Sequence, residues 1–492
     1  MIRSGFNSMT SFAKTLGKPV GFFVLLAISI LFAYVVNAAQ IKGAAIIMIL
    51  LIGPIIAFAV ISKPKFGITA LLIAAYLIMW IIRLNLIKFP LGTLMDGLLA
   101  LLIIGLFIQL KYRPDWTFLS SPISLMISIW IIYNFILVAN PVAQSKMAWL
   151  YTIRSMAIVM LTYFIFSYHI RDLKFIRLII KLWLVLSVFA GINGYRQQFI
   201  GFMGYEEAYL YSDPLIRDLL FINGVWRKFS IFSDPTVFSY NMILSSLLCI
   251  GMMFGPISMR RKIFLSALVM FFITNMLFSG TRSAYVLLPA AMLMLTILVF
   301  NRQIMLITTG AALFMAIIIF MPTSNPVLYR FQSAFKPSDD ASFNVRARNQ
   351  KMIQPYIWSH PIGGGLGSTG VWGAKFSPGS FLASFPPDSG YVRVAVETGW
   401  IGLFIFCSLL FIILQKGISN FFKMEDPELK SYCLAMVLIV YAITIGNYPQ
   451  EAITQYPLNV YFFLVAALID ATYNLDKEKK AEKLKISNTL SN

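Results

Sequence analysis

Runs of about 17 to 24 predominantly apolar residues recur from one end of this chain to the other. A helix rises about 1.5 Å per residue, so each run can cross a hydrocarbon core about 30 Å thick. In lipid, backbone polar groups find partners only within helices or closed barrels. Barrel strands alternate apolar and polar residues, and these runs do not. Composition agrees: the chain is 59% hydrophobic and 12% charged, against about 25% charged in soluble domains. An all-α polytopic membrane protein follows, with about 14 spans (12–14). They are expected near 20–38, 43–62, 66–83, 91–110, 117–138, 147–168, 176–195, 236–255, 263–279, 283–299, 303–321, 391–414, 431–447 and 454–473. No small-residue cleavage site follows the first run, which predicts a retained span.

Lys and Arg in short connections set the orientation. With the N-terminus inside, the inner connections hold Lys14 and Lys18, Lys63 and Lys65, Lys111 and Arg113, Arg171 to Arg177, Arg260 to Lys262, and Lys416 to Lys430. The opposite short loops hold only Lys42, Arg83, Lys88, Lys146 and Arg282. Both termini are therefore expected in the cytoplasm, with an even number of spans. The same bias explains the net charge of +20 without nucleic acid. The basic tail, Asp476 to Lys485, reads as a solvated segment near anionic lipid.

The chain divides into a transmembrane region 1–195, a long outer loop 196–235, central spans 236–321, a large outer loop 322–390, closing spans 391–473 and the tail 474–492. Long loops that fold usually carry function. Loop 322–390 contains Trp358, Trp372 and many Gly, so a folded cap with short helices is expected. The aromatic and charged segment 195–222 suits either an interfacial segment or a plain connecting helix.

Several chemistries are poorly supported. Cys249, Cys407 and Cys433 sit within predicted spans as inert thiols, and only His169 and His360 could add nitrogen ligands. No metal and no cofactor is expected. The run His360–Gly367 lacks the strand before it and the Lys-Ser/Thr ending of a nucleotide loop. It reads first as a tight turn, and second as backbone contact with an anion.

What stands out is a set of arginines. Arg282 follows Phe278-Ser279-Gly280-Thr281 in a short turn between two spans. Arg154 lies inside the sixth span, and Arg227 shortly before the eighth. Arg346 and Arg348 lie in the large loop. Charge within lipid is costly, so such residues are functional candidates. The alternatives are an Asp96 partner for Arg154 and an interface anchor for Arg282. Converging guanidinium groups would suit a pyrophosphate, because they offer forked donors and keep their proton.

These residues carry a resemblance. Phe278-Ser279-Gly280-Thr281-Arg282-Ser283-Ala284 resembles the turn of the O-antigen ligase and Wzy-type polymerase superfamily. So do Trp358 to Gly367, Pro387 to Gly402 and Arg227 to Phe238, in the family's order. The resemblance covers 227–402 and implies a GT-C-like, metal-independent glycosyltransferase. Its donor would be an undecaprenyl-pyrophosphate-linked glycan, with Arg227, Arg282 and Arg154 on the pyrophosphate. Its acceptor would be another carrier-linked repeat, or a lipid or protein.

Where the family's ligases carry a His, this chain has Asp388. Asp388 is therefore the candidate base, with His360 as fallback; a helix cap is its alternative role. Arg346, Arg348, His360 and Arg393 are candidate substrate contacts, and Arg393 could also pair with Glu397 four residues on. The missing His points to polymerase over ligase. The bacterial inner membrane is the expected site, with membrane lipids, a flippase and a chain-length regulator as partners. A lipid-linked oligosaccharide transporter is the competing class, but neither repeated halves nor broken midplane helices are evident.

Overall fold

The computed structural model describes residues 22–23, 26, 29–30, 32–34, 37, 51–84, 91–222, 224–324, 326–335 and 341–490. The chain forms two units, Met1–Gly67 and Ile68–Asn492. In the first, Leu51–Ser62 is an apolar helix; most of the expected 20–38 span and residues 43–50 lie outside the described residues.

Twelve described helices are long and apolar enough to cross a membrane. They correspond one to one with the twelve later expected spans. In chain order the helices are α1 (Pro64–Arg83), α2 (Leu91–Tyr112), α3 (Pro122–Ile136), α4 (Lys146–Met156), α5 (Leu161–His169) and α6 (Leu173–Phe199). The first long connection holds α7 (Gly204–Leu210), α8 (Pro214–Leu220) and a hairpin of β1 (Phe221–Ile222) and β2 (Val225–Trp226). Then come α9 (Pro235–Met252), α10 (Met259–Phe278), α11 (Arg282–Val299) and α12 (Arg302–Phe320). The large loop holds α13 (Pro326–Ser333), α14 (Ala341–Ser359) and α15 (Gly370–Phe376), and α16 (Gly390–Lys423), α17 (Pro427–Gly446) and α18 (Leu458–Leu490) close the chain.

The helices differ in what they face. α9, α17 and α18 form the buried centre, whereas α12 is almost wholly exposed. Ser239, Asn241, Ser245 and Ser246 of α9 are buried, yet their side chains donate to carbonyls one turn back, Ser239 to Thr236, Asn241 to Val237, Ser245 to Asn241 and Ser246 to Met242. Ser245 also reaches Ser187 Oγ of α6 at 2.7 Å. Gly251 lets α9 approach α17, since a Cβ there would meet Ala435, as small residues do between membrane helices. Leu306, Phe314 and Ile317 of α12 are exposed apolar side chains suited to lipid contact.

Four sequence expectations change. The span expected at 147–168 is broken: α4 ends at Met156, Ala157 leaves helical geometry, and α5 starts at Leu161. The basic tail is not detached from the last span: α18 runs on to Leu490 and Lys479 Nζ lies 2.6 Å from Asp426, while residues 481–487 are exposed. Cys407 is exposed on the flank of α16, while Cys249 and Cys433 are buried. Residues 195–222 do not form a plain connecting helix. After α6 they build a small core of Leu210, Leu220 and Phe229, flanked by Phe202, Tyr209 and Trp226. Arg83, at the end of α1, lies over the Phe229 ring at 4.2 Å and donates to the Phe232 carbonyl at 2.6 Å.

Candidate active site

The turn between α10 and α11 is shaped by Gly280, at φ +59°, a conformation that favours glycine. α11 starts at Arg282, so its positive dipole end faces the turn. Arg227 reaches the turn from the β2 side. Its Nε donates to the Ser279 carbonyl at 3.0 Å and its Nη2 to Thr281 Oγ1 at 3.0 Å. Arg330 of α13 reaches it from the large loop, with Nε donating to the Gly280 carbonyl at 2.6 Å. Arg282, Arg330 and Asp234 all act electrostatically on Arg227. Burial, together with the Arg330 charge, pulls the Arg227 guanidinium down to about 10, still protonated at neutral pH. Asp234 caps α9 by accepting from Thr236 and Val237, which fixes the start of that helix beside the cluster.

The two long connections therefore meet at one turn and bring Arg227 and Arg330 to the turn's own Arg282. Arg330 was not singled out from the sequence. It lies in no motif, and its only signal was its place in the large loop.

A second group lies next to it. Tyr240 of α9 donates to Ser283 Oγ at 3.1 Å, one residue past Arg282. Arg346 of α14 is within electrostatic range of Tyr240 and of Asp388. Asp388 is solvent-exposed, yet partial desolvation pushes its carboxyl above its ordinary pKa, against the opposing pull of Arg346 and a hydrogen bond from Asn349. Asp388 does not cap α16. Ser389 does, accepting from Val392 N at 3.5 Å. The segment is anchored by Gly390 N, which donates to the Asn447 carbonyl at 2.9 Å. Arg348, one residue past Ala347 on α14, is exposed.

The remaining predicted residues lie elsewhere. Arg154 forms an ion pair with Asp96, and its Nε is buried without a hydrogen-bond partner. Arg393 pairs with both Glu397 (3.2 Å) and Glu451. Glu451 is 54 residues beyond Glu397, which is why the sequence did not disclose it. His360 Nδ1 lies 2.9 Å from the Tyr356 carbonyl, and the two rings stack at 3.9 Å. The glycine run is a structural turn: Gly364 N and Gly365 N donate to the Val396 and Glu397 carbonyls at 2.9 Å each. It docks where α16 kinks at Gly399, whose φ is +73°.

The helices and this site define a polytopic membrane protein with a folded cap over an arginine-lined turn. Residues 266–407 match the family model described as O-Antigen ligase (Wzy_C), so this part of the chain is similar to that family. The match contains the turn at 278–282, the large loop and the start of α16. No curated protein matches the chain.

Proposed function

We propose that this chain polymerises undecaprenyl-pyrophosphate-linked repeat units into a surface polysaccharide, with the cap on the outer face of a bacterial inner membrane. The observation that carries the reading is the meeting of Arg227, Arg282 and Arg330 at one helix N-terminus. That assembly has the charge and the forked donors a pyrophosphate needs. The distribution of Lys and Arg supports cytoplasmic termini.

In the proposed step an acceptor hydroxyl oxygen bonds to the anomeric carbon as the bond from that carbon to the pyrophosphate oxygen breaks. The pyrophosphate leaves with the bonding pair, and the arginines stabilise its growing charge. Asp388 takes the hydroxyl proton; its raised pKa makes it a stronger base than an ordinary carboxylate. No nucleotide is needed, because the donor is already activated.

The family description favours a second reading, transfer of a finished glycan to a lipid or protein acceptor. Deleting the chain separates the two. Carrier-linked single repeats accumulate if it polymerises, and carrier-linked long polymer accumulates if it ligates. Normal surface polysaccharide after deletion would sink both.

A further inference from the structure

The cap contains a second polar recess, apart from the arginine cluster. It is a cavity of about 170 Å³ between residues 142–145, the end of α14 and residues 364–382. No Asp, Glu, Lys or Arg lines it. Its hydrogen-bonding groups include Gln144, Ser368, Ser380, Tyr356 and His360.

One of these groups has unused capacity. Ser368 Oγ is buried and makes no hydrogen bond. His360 Nδ1 faces the Tyr356 carbonyl, which can only accept. Ser359 Oγ lies 2.9 Å from the same nitrogen. The His360 and Tyr356 rings, stacked at 3.9 Å, both line the cavity. Ala148 of α4 also lines the cavity, and Tyr151, one turn on, stacks on Trp372 at 4.7 Å and on Phe376 at 5.3 Å. Trp372 and Phe376 belong to α15, which runs between the lining residues Ser368 and Ser377.

Neutral donors and acceptors beside aromatic rings match a sugar ring, with hydroxyls at its edge and apolar C–H groups on its faces. A phosphate would call for fixed positive charge, which the lining lacks. We propose that this cavity is a subsite for one neutral sugar residue of the carrier-linked glycan. The proposal rests on the glycan-transfer reading above. Tyr356 and Arg346 stand ten residues apart on α14, about 15 Å along its axis. That is the scale of a short oligosaccharide, so the subsite holds a sugar away from the reacting bond.

The test uses the full-length protein in detergent and two probes. One is undecaprenyl pyrophosphate. The other is the lipid-linked glycan extracted from cells lacking this chain. The variants are Ser368→Ala and, on the exposed 142–145 segment, Gln144→Leu. Each should weaken binding of the glycan-bearing lipid about fivefold, the effect of one neutral hydrogen bond. Neither should change binding of undecaprenyl pyrophosphate. Unchanged glycan binding in both variants overturns the subsite, as does equal weakening of the two probes. If Arg227→Ala leaves the binding of undecaprenyl pyrophosphate intact, the transfer reading itself fails, an outcome distinct from failure of the subsite.

Discussion

Arg227 donates from Nη2 to Thr281 Oγ1 at 3.0 Å, tying the residue after the β1–β2 hairpin to the turn that begins α11. The same guanidinium holds the Ser279 carbonyl, so one side chain fixes both sides of Gly280. This geometry needs a fork, and a lysine cannot reproduce it.

Arg227→Lys should therefore reduce polymer formation about tenfold or more, the loss of one or two charge-assisted hydrogen bonds. Arg282→Ala and Arg330→Ala should also lower it. Polymer length on gels, normalised to protein level, is the measurement. Undiminished polymer in all three variants contradicts the pyrophosphate site.

Asp388→Asn should abolish most activity while leaving the fold intact, because Ser389 carries the helix cap. The folded-state pKa is raised, so transfer should fall as pH drops through a value above the ordinary carboxylate range. Linkage gives the opposite sign for stability. A raised carboxyl pKa favours the folded state at low pH and loses that contribution as pH rises through the folded pKa. The Asn variant should thus be no less stable than the parent at neutral pH. By contrast, Ser389→Ala should cost about 1 kcal/mol through the lost cap. Thermal unfolding in detergent separates the two residues.

Arg393 stands between two carboxylates and is only 14% exposed. Arg393→Ala strands both charges and should destabilise by about 3–5 kcal/mol. Glu397 also accepts from Thr369 Oγ1 at 2.6 Å, so the loss should loosen the cap along with the helices. A melting temperature within a degree of the parent would rule out this bracing role.

Gly399→Ala should destabilise by more than 1 kcal/mol. Its φ of +73° strains any side chain, and a Cβ would collide with the Pro361 carbonyl. Loss of the docked turn at 361–365 should lower activity as well. A parent-like melting curve and normal polymer together would show that the kink is dispensable.

Much of this was legible because it depends on local spacing. Apolar run length predicted the twelve described spans. Arg393 and Glu397 are four apart on one helix, which brings side chains together without tertiary help. The glycines of 363–367 announced a turn through their backbone freedom. The break at Ala157 was not legible, since neither Gly nor Pro marks it. Nor was the choice of Ser389 over Asp388 as cap, because both are good capping residues one position apart.

The sequence by itself determined a many-helix membrane body, its long loops and the residues able to hold an anion. These follow from the cost of placing polar groups and charges in lipid, which acts on each segment separately. Only the tertiary structure decided which arginines share a site. It joined Arg330 to Arg227 across about a hundred residues, gave Arg154 to Asp96, and placed Arg393 between two glutamates. A guanidinium's partner is set by which helix ends are packed side by side, and that geometry appears only once the helices have assembled.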